Sequence, residues 1–116
     1  MAEALEQGMA FLDSPGTHYV ATPNPEIVEL CRENPAARQA VNGADLVLAD
    51  GIGIIKGAAM LGTPLRDRLP GIEFAAGLMA RMAKQGRSLY LLGAKPGVAD
   101  AAAKILKERY FGLKIA

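Results

Sequence analysis

Hydrophobic positions along the chain follow two periods. Four short apolar runs, residues 18–21, 46–49, 88–92 and 113–115, read as β-strands, and the first three run directly into turns built from Pro, Asn, Asp or Gly. Between them, apolar residues recur every three or four positions, as along one face of a helix. Residues 2–12 place Leu5, Met9 and Leu12 together. Residues 71–84 carry a stripe of Ile72, Ala75, Ala76, Met79, Ala80 and Ala83, closed by Gln85 and Gly86. Asn24-Pro25 and Asn34-Pro35 each join a good N-cap to a proline at the first helical position, where the missing N–H costs nothing. Two consecutive helices are therefore predicted, the second reaching Val41 and closing on Asn42-Gly43 in a left-handed conformation. Further helices are predicted over 54–61, ended by Gly62 and Pro64, and over 98–110.

Strands separated by helices imply a parallel sheet with right-handed crossovers and helices on both faces. The expected class is α/β, a Rossmann-like parallel sheet with flanking helices. Three or four strands make such a sheet incompletely, the first helix has no strand before it, and the last strand stops near its start. The 116 residues are therefore expected to be one incomplete part of a larger domain. No repeat, low-complexity tract or linker divides them. Sites of open α/β sheets lie beyond the carboxyl ends of the strands, which directs attention to residues 22–26, 50–54 and 93–97.

Composition narrows the classes. A hydrophobic fraction of 51 % with 22 % charged residues marks a globular chain. Thirteen basic residues against twelve acidic give a net charge of +1 with no Lys/Arg cluster, so nucleic acid is not an expected partner. Cys31 is the sole cysteine, which precludes an internal disulfide and suits a reducing cytoplasm. Lys56, Arg66 and Glu73 interrupt the apolar runs well short of the roughly 20 residues of a spanning helix, and no signal-peptide pattern opens the chain. Membrane contact would be peripheral or carried by segments outside this sequence.

Asp50 stands where an apolar strand meets a glycine turn. Its carboxylate can act as a general base toward a bound hydroxyl, or it can simply cap a helix. Gly51 and Gly53 allow close approach of a ligand or of neighbouring backbone. Thr22 and Asn24 offer a hydroxyl and an amide that can hold a sugar by neutral hydrogen bonds, although capping explains Asn24 equally well. Arg66 and Arg68 can grip a diphosphate or be solvated loop residues. Gly93 and Gly97 frame a turn that can cradle phosphate, with Lys95 between them. That turn lacks both the dinucleotide fingerprint and the P-loop ending. His18 has no second histidine, so no metal site is expected, and Cys31 is expected to pack as a small apolar residue. No D-x-D pair occurs, so a sugar nucleotide would rely on helix amides and arginines, without a metal or other cofactor.

Four motifs in this order and spacing, T-P-N-P-E-I-V at 22–28, A-D-L-V-L-A-D-G-I-G-I at 44–54, P-L-x-x-R-L-P-G at 64–71 and L-Y-L-L-G-A at 89–94, resemble the WecG/TagA/CpsF glycosyltransferases over nearly the whole chain. The resemblance implies a bacterial enzyme that transfers a sugar, typically N-acetylmannosamine, from a UDP donor to N-acetylglucosamine on undecaprenyl diphosphate. Its products would serve teichoic acid, common antigen or capsule. It implies Asp50 as catalytic base and Thr22 in the active-site pocket, matches Arg68 to the family's arginine before the glycine turn, and implies action at the inner face of the membrane. Members of the family carry further strands before residue 2 and a longer α/β portion and membrane-associated segment after residue 116. A fragment without them is expected to turn over poorly by itself. The competing readings are a non-catalytic nucleotide-binding α/β module and, third, a dinucleotide-dependent oxidoreductase.

Overall fold

Local capping chemistry sets the frame of the molecule. In the computed structural model, which describes residues 1–49, 51–62 and 69–116, with Ile52 as backbone only, one or two helices separate successive strands. The elements are α1 (Ala2–Asp13), β1 (Val20–Ala21), α2 (Pro25–Glu33), α3 (Pro35–Asn42), β2 (Leu46–Val47), α4 (Ile52–Met60), α5 (Gly71–Lys84), β3 (Ser88–Leu89), α6 (Val98–Arg109) and β4 (Lys114–Ile115). Asn24 Oδ1 accepts the Ile27 N–H at 2.9 Å and Asn34 Oδ1 accepts the Ala37 N–H at 3.1 Å. Each is the expected Asn-Pro helix start, worth about 1 kcal/mol.

Two helix ends depart from expectation. Gly43 closes α3 with φ −84° and ψ −3°, a right-handed conformation. Its smallness serves packing: an added Cβ would lie 2.8 Å from Tyr19 Oη and 3.0 Å from Gln39 O, while Tyr19 Oη donates to Ala40 O at 2.8 Å. A left-handed glycine does follow α5. Gly86 has φ +65°, and the Gly86 and Arg87 N–H groups bond Ala83 O and Met82 O, a Schellman ending. Helix α4 starts at Ile52, before the predicted residue 54, because Gly51 at φ +96° turns the chain directly into it.

The strands are shorter than their apolar runs, and the single expected sheet is, among the described residues, two parallel ladders. Val20 and Ala21 pair with Leu46 and Val47, flanked by Asp45 N to Tyr19 O and Leu48 N to Ala21 O, both 2.9 Å. Ser88 and Leu89 pair with Lys114 and Ile115. The molecule is α/β with small parallel sheets.

Helices α1 and α5 link the ladders. Ala4 and Leu5 of α1, Leu48 after β2 and Phe74 of α5 form one buried cluster, whereas Met82 and Ala83 of α5 and Leu113 before β4 form a second. Leu78 packs against both. The line of α5 that faces both cores is Phe74, Leu78 and Met82, successive i+4 neighbours; of the expected stripe, Ala83 is buried and Met79 packs on the second core, whereas Ile72 is 82 % exposed. The larger side chains take the core because they bury more apolar area per helical turn. Glycine notches let the two helices close. A Cβ on Gly8 would meet Leu78 and Phe74 at 3.0 Å, and one on Gly77 would meet Leu5 at 2.9 Å. Arg87 braces the far end, donating to Leu12 O at 3.2 Å and pairing with the Asp13 carboxylate. The radius of gyration, 15.8 Å, exceeds the roughly 13 Å of a compact chain of this length, as two small cores joined by helices would give.

Candidate active site

The carboxyl end of the first ladder gathers three helix starts. Thr22 leaves β1, Pro23 is buried, and Asn24 caps α2. Pro25, the first residue of α2, lies over the start of α4: an added Cβ on Gly51 would be 3.5 Å from Pro25 Cδ, and one on Gly53 only 2.8 Å from Pro25 Cγ. On the other side, a Cβ on Gly71, the first residue of α5, would meet Thr22 Cγ2, Oγ1 and Cβ at 3.0, 3.1 and 3.2 Å. The turn 22–25 is therefore held between the N-termini of α4 and α5 by close contacts at Gly53 and Gly71. The bond from Leu69 N to Ala49 O, 2.9 Å, draws the start of α5 alongside β2.

Helix N-termini concentrate N–H donors and partial positive charge. Asn24 supplies a side-chain cap to α2, whereas Gly51 and Pro70 supply none to α4 and α5. With the Thr22 hydroxyl beside them, these helix starts can receive a phosphate or a sugar hydroxyl.

Of the residues singled out from sequence, Thr22, Asn24, Gly51 and Gly53 come together here. Asp50, Arg66 and Arg68 lie outside the described residues. Gly93 and Gly97 belong to the turn after β3, on the second ladder. Gly93 has φ +118°, Gly97 has φ +87° as the N-cap of α6, and a Cβ on either would meet nothing within 4 Å. Ala94 between them adopts φ +64°, a left-handed conformation that costs a non-glycine residue roughly 1 kcal/mol.

At the opposite end of the first ladder, Asp45 accepts the Tyr19 N–H at 2.9 Å and the His18 Nδ1–H at 3.2 Å. The Tyr19 bond first, and then His18, hold the Asp45 carboxyl below the usual carboxylate range. His18 stacks on Phe11 with ring centroids 4.8 Å apart, and its Nε2 is buried without a hydrogen-bond partner among the described residues. An open pocket of about 460 Å³ flanks β2, lined in part by Glu3, Gln7, Asp45, Val47 and Leu69. Cys31 is half-buried in α2. Among the described residues, no group of three or more His, Cys, Asp or Glu is placed to hold a metal ion, and no helix is long and apolar enough to cross a membrane.

Compared with known protein families, residues 1–116 match the Glycosyl transferase WecG/TagA/CpsF family. The chain belongs to this family. Its similar relatives include N-acetylglucosaminyldiphosphoundecaprenol N-acetyl-beta-D-mannosaminyltransferases of Staphylococcus aureus strains NCTC 8325 and COL. Each is 31 % identical over 118 residues, an alignment covering 100 % of this chain and 46 % of the relative. The chain thus spans about half the length of the curated relatives it matches. The family motif P-L-x-x-R-L-P-G ends on Gly71, whose contact with Thr22 the sequence reading did not anticipate. The Pro-Gly pair opening a helix was the available signal, but it does not say which strand end the glycine meets.

Proposed function

We propose that this WecG/TagA/CpsF chain carries the sugar-transfer site of a glycosyltransferase. It would move an N-acetylhexosamine, N-acetylmannosamine in this reading, from a UDP donor to N-acetylglucosaminyl-diphospho-undecaprenol in cell-surface polysaccharide or teichoic acid synthesis. The observation that carries this reading is the convergence of Thr22, Asn24, Gly51, Gly53 and Gly71 at the carboxyl end of the first ladder. The names of the Staphylococcus aureus relatives supply the acceptor and the sugar.

In the proposed inverting displacement, the Asp50 carboxylate removes the proton from the acceptor hydroxyl as its oxygen bonds to the anomeric carbon of the donor. The bond from that carbon to UDP breaks, and the departing diphosphate takes the electron pair. The task of this base is set by position: it must lie within hydrogen-bond reach of the acceptor hydroxyl. Amides of α4 and α5, Arg68 and the turn bearing Gly93 and Gly97 would offset the diphosphate charge without a metal. Thr22 would orient a sugar or ribose hydroxyl. This chain would form part of one Rossmann-like domain acting at the inner face of the bacterial membrane, touching it peripherally through other segments.

The test is UDP release from UDP-N-acetylmannosamine by the complete gene product, with and without lipid-diphosphate-linked N-acetylglucosamine, beside Asp50→Asn. Acceptor-dependent release that falls by at least about a hundredfold in the variant is expected. No release rejects this donor and acceptor, and a fully active variant makes Asp50 a helix cap.

A further inference from the structure

The Gly71 contact goes beyond the residues assigned above. Thr22 is β-branched, so its side chain has few rotamers to retreat into, and three of its heavy atoms stand 3.0–3.2 Å from where a Gly71 Cβ would be. Gly71 is the first residue of α5, a position where alanine meets no penalty from helix propensity. Gly71 is not among the glycines with positive φ. Backbone conformation therefore gives no reason for glycine there, and the close approach to Thr22 does. The approach is anchored from both sides. Pro25 rests on Gly53 across the same turn, and Phe74, one helical turn beyond Gly71, is buried in the first core.

Resting on the transferase reading, we infer that Gly71 is a positioning residue: its missing side chain lets the start of α5 fix the Thr22 hydroxyl for sugar transfer. An alanine must displace Thr22 or the first turn of α5 by a few tenths of an ångström. Reacting groups held for transfer lose rate steeply with such displacements.

The experiment measures turnover and thermal unfolding of the complete gene product as wild type, Gly71→Ala, Thr22→Ser and Gly71→Ala/Thr22→Ser. Serine keeps the hydroxyl and removes Cγ2, the nearest of the three atoms. The expected result is a loss of about tenfold in kcat for Gly71→Ala with little change in unfolding midpoint. The double variant should recover at least about threefold of that loss, on the scale set by restoring the geometry. Should Gly71→Ala fail to fold, recovery of both fold and turnover in the double variant is the supporting result. A fully active Gly71→Ala, or a double variant no better than the single one, overturns the inference while leaving the transferase reading intact. A wild-type protein that releases no UDP overturns both.

Discussion

The two ladders use glycine at their carboxyl ends for opposite reasons. After β1 and β2, Gly53 and Gly71 are wedged: an added Cβ would strike Pro25 at 2.8 Å and Thr22 at 3.0 Å. After β3, Gly93 and Gly97 stand in open space, and only their positive φ angles call for glycine. The first end is a surface assembled from three separate chain segments, and its shape depends on tertiary contact. The second is a turn whose shape is local. A proposed site that must hold two substrates in fixed relation belongs at the first, with the second as an accessory contact.

The contrast can be broken by measurement. Leu48, 1 % exposed beneath the first ladder's carboxyl end, should show the largest effect: Leu48→Ala is expected to cost about 3 kcal/mol in chemical unfolding. A loss under about 1 kcal/mol would mean that this end is not rigidly supported. Gly53→Ala comes next, at about 2 kcal/mol, because the Pro25 ring cannot rotate away from the new methyl; a neutral result would remove the wedge. Gly97→Ala is expected to cost about 1 kcal/mol through its left-handed φ alone. A cost matching that of Gly53→Ala would erase the distinction between the two ends.

The smallest effect concerns pH. Asp45 has its pKa lowered on folding by the Tyr19 N–H and His18, so its contribution is present above the unfolded carboxylate value of about 3.9 and is lost as pH falls through the lower folded value. Asp45 is exposed, so the contribution is slight. Asp45→Asn should flatten the acid side of an unfolding-midpoint profile and leave the neutral side parallel to wild type; an unchanged acid limb would show that the carboxylate contributes nothing.

Much of this arrangement was legible where the signal is local. Asn24 and Asn34 cap as their prolines imply, and α5 spans the residues its period predicts. The buried face of α5 was not fully legible: Met79 and Ala83 of the expected stripe reach the second core, but the line Phe74, Leu78 and Met82 is selected by packing. Nor was the division into two ladders, since an apolar run does not specify its partner strand. In the candidate site, the glycines at 51 and 53 signalled close approach, but its object, the Pro25 ring, depends on how α2 meets α4. Gly71 was hidden for the same reason: its neighbour Thr22 lies 49 positions earlier in the chain. Asp50 and Arg68 rest on motif and position alone.

Anchored at Met82 and Ala83 in the second core, α5 has the mechanics of a lever pivoted near its far end. From Met82 to Gly71 the helix runs about 16 Å at 1.5 Å per residue. A tilt of roughly 3° about the second core would swing the Thr22 contact by about 0.9 Å over that length. Small substitutions at Met82, Ala83 or Leu113, remote from any substrate, would then tune the alignment of the proposed site.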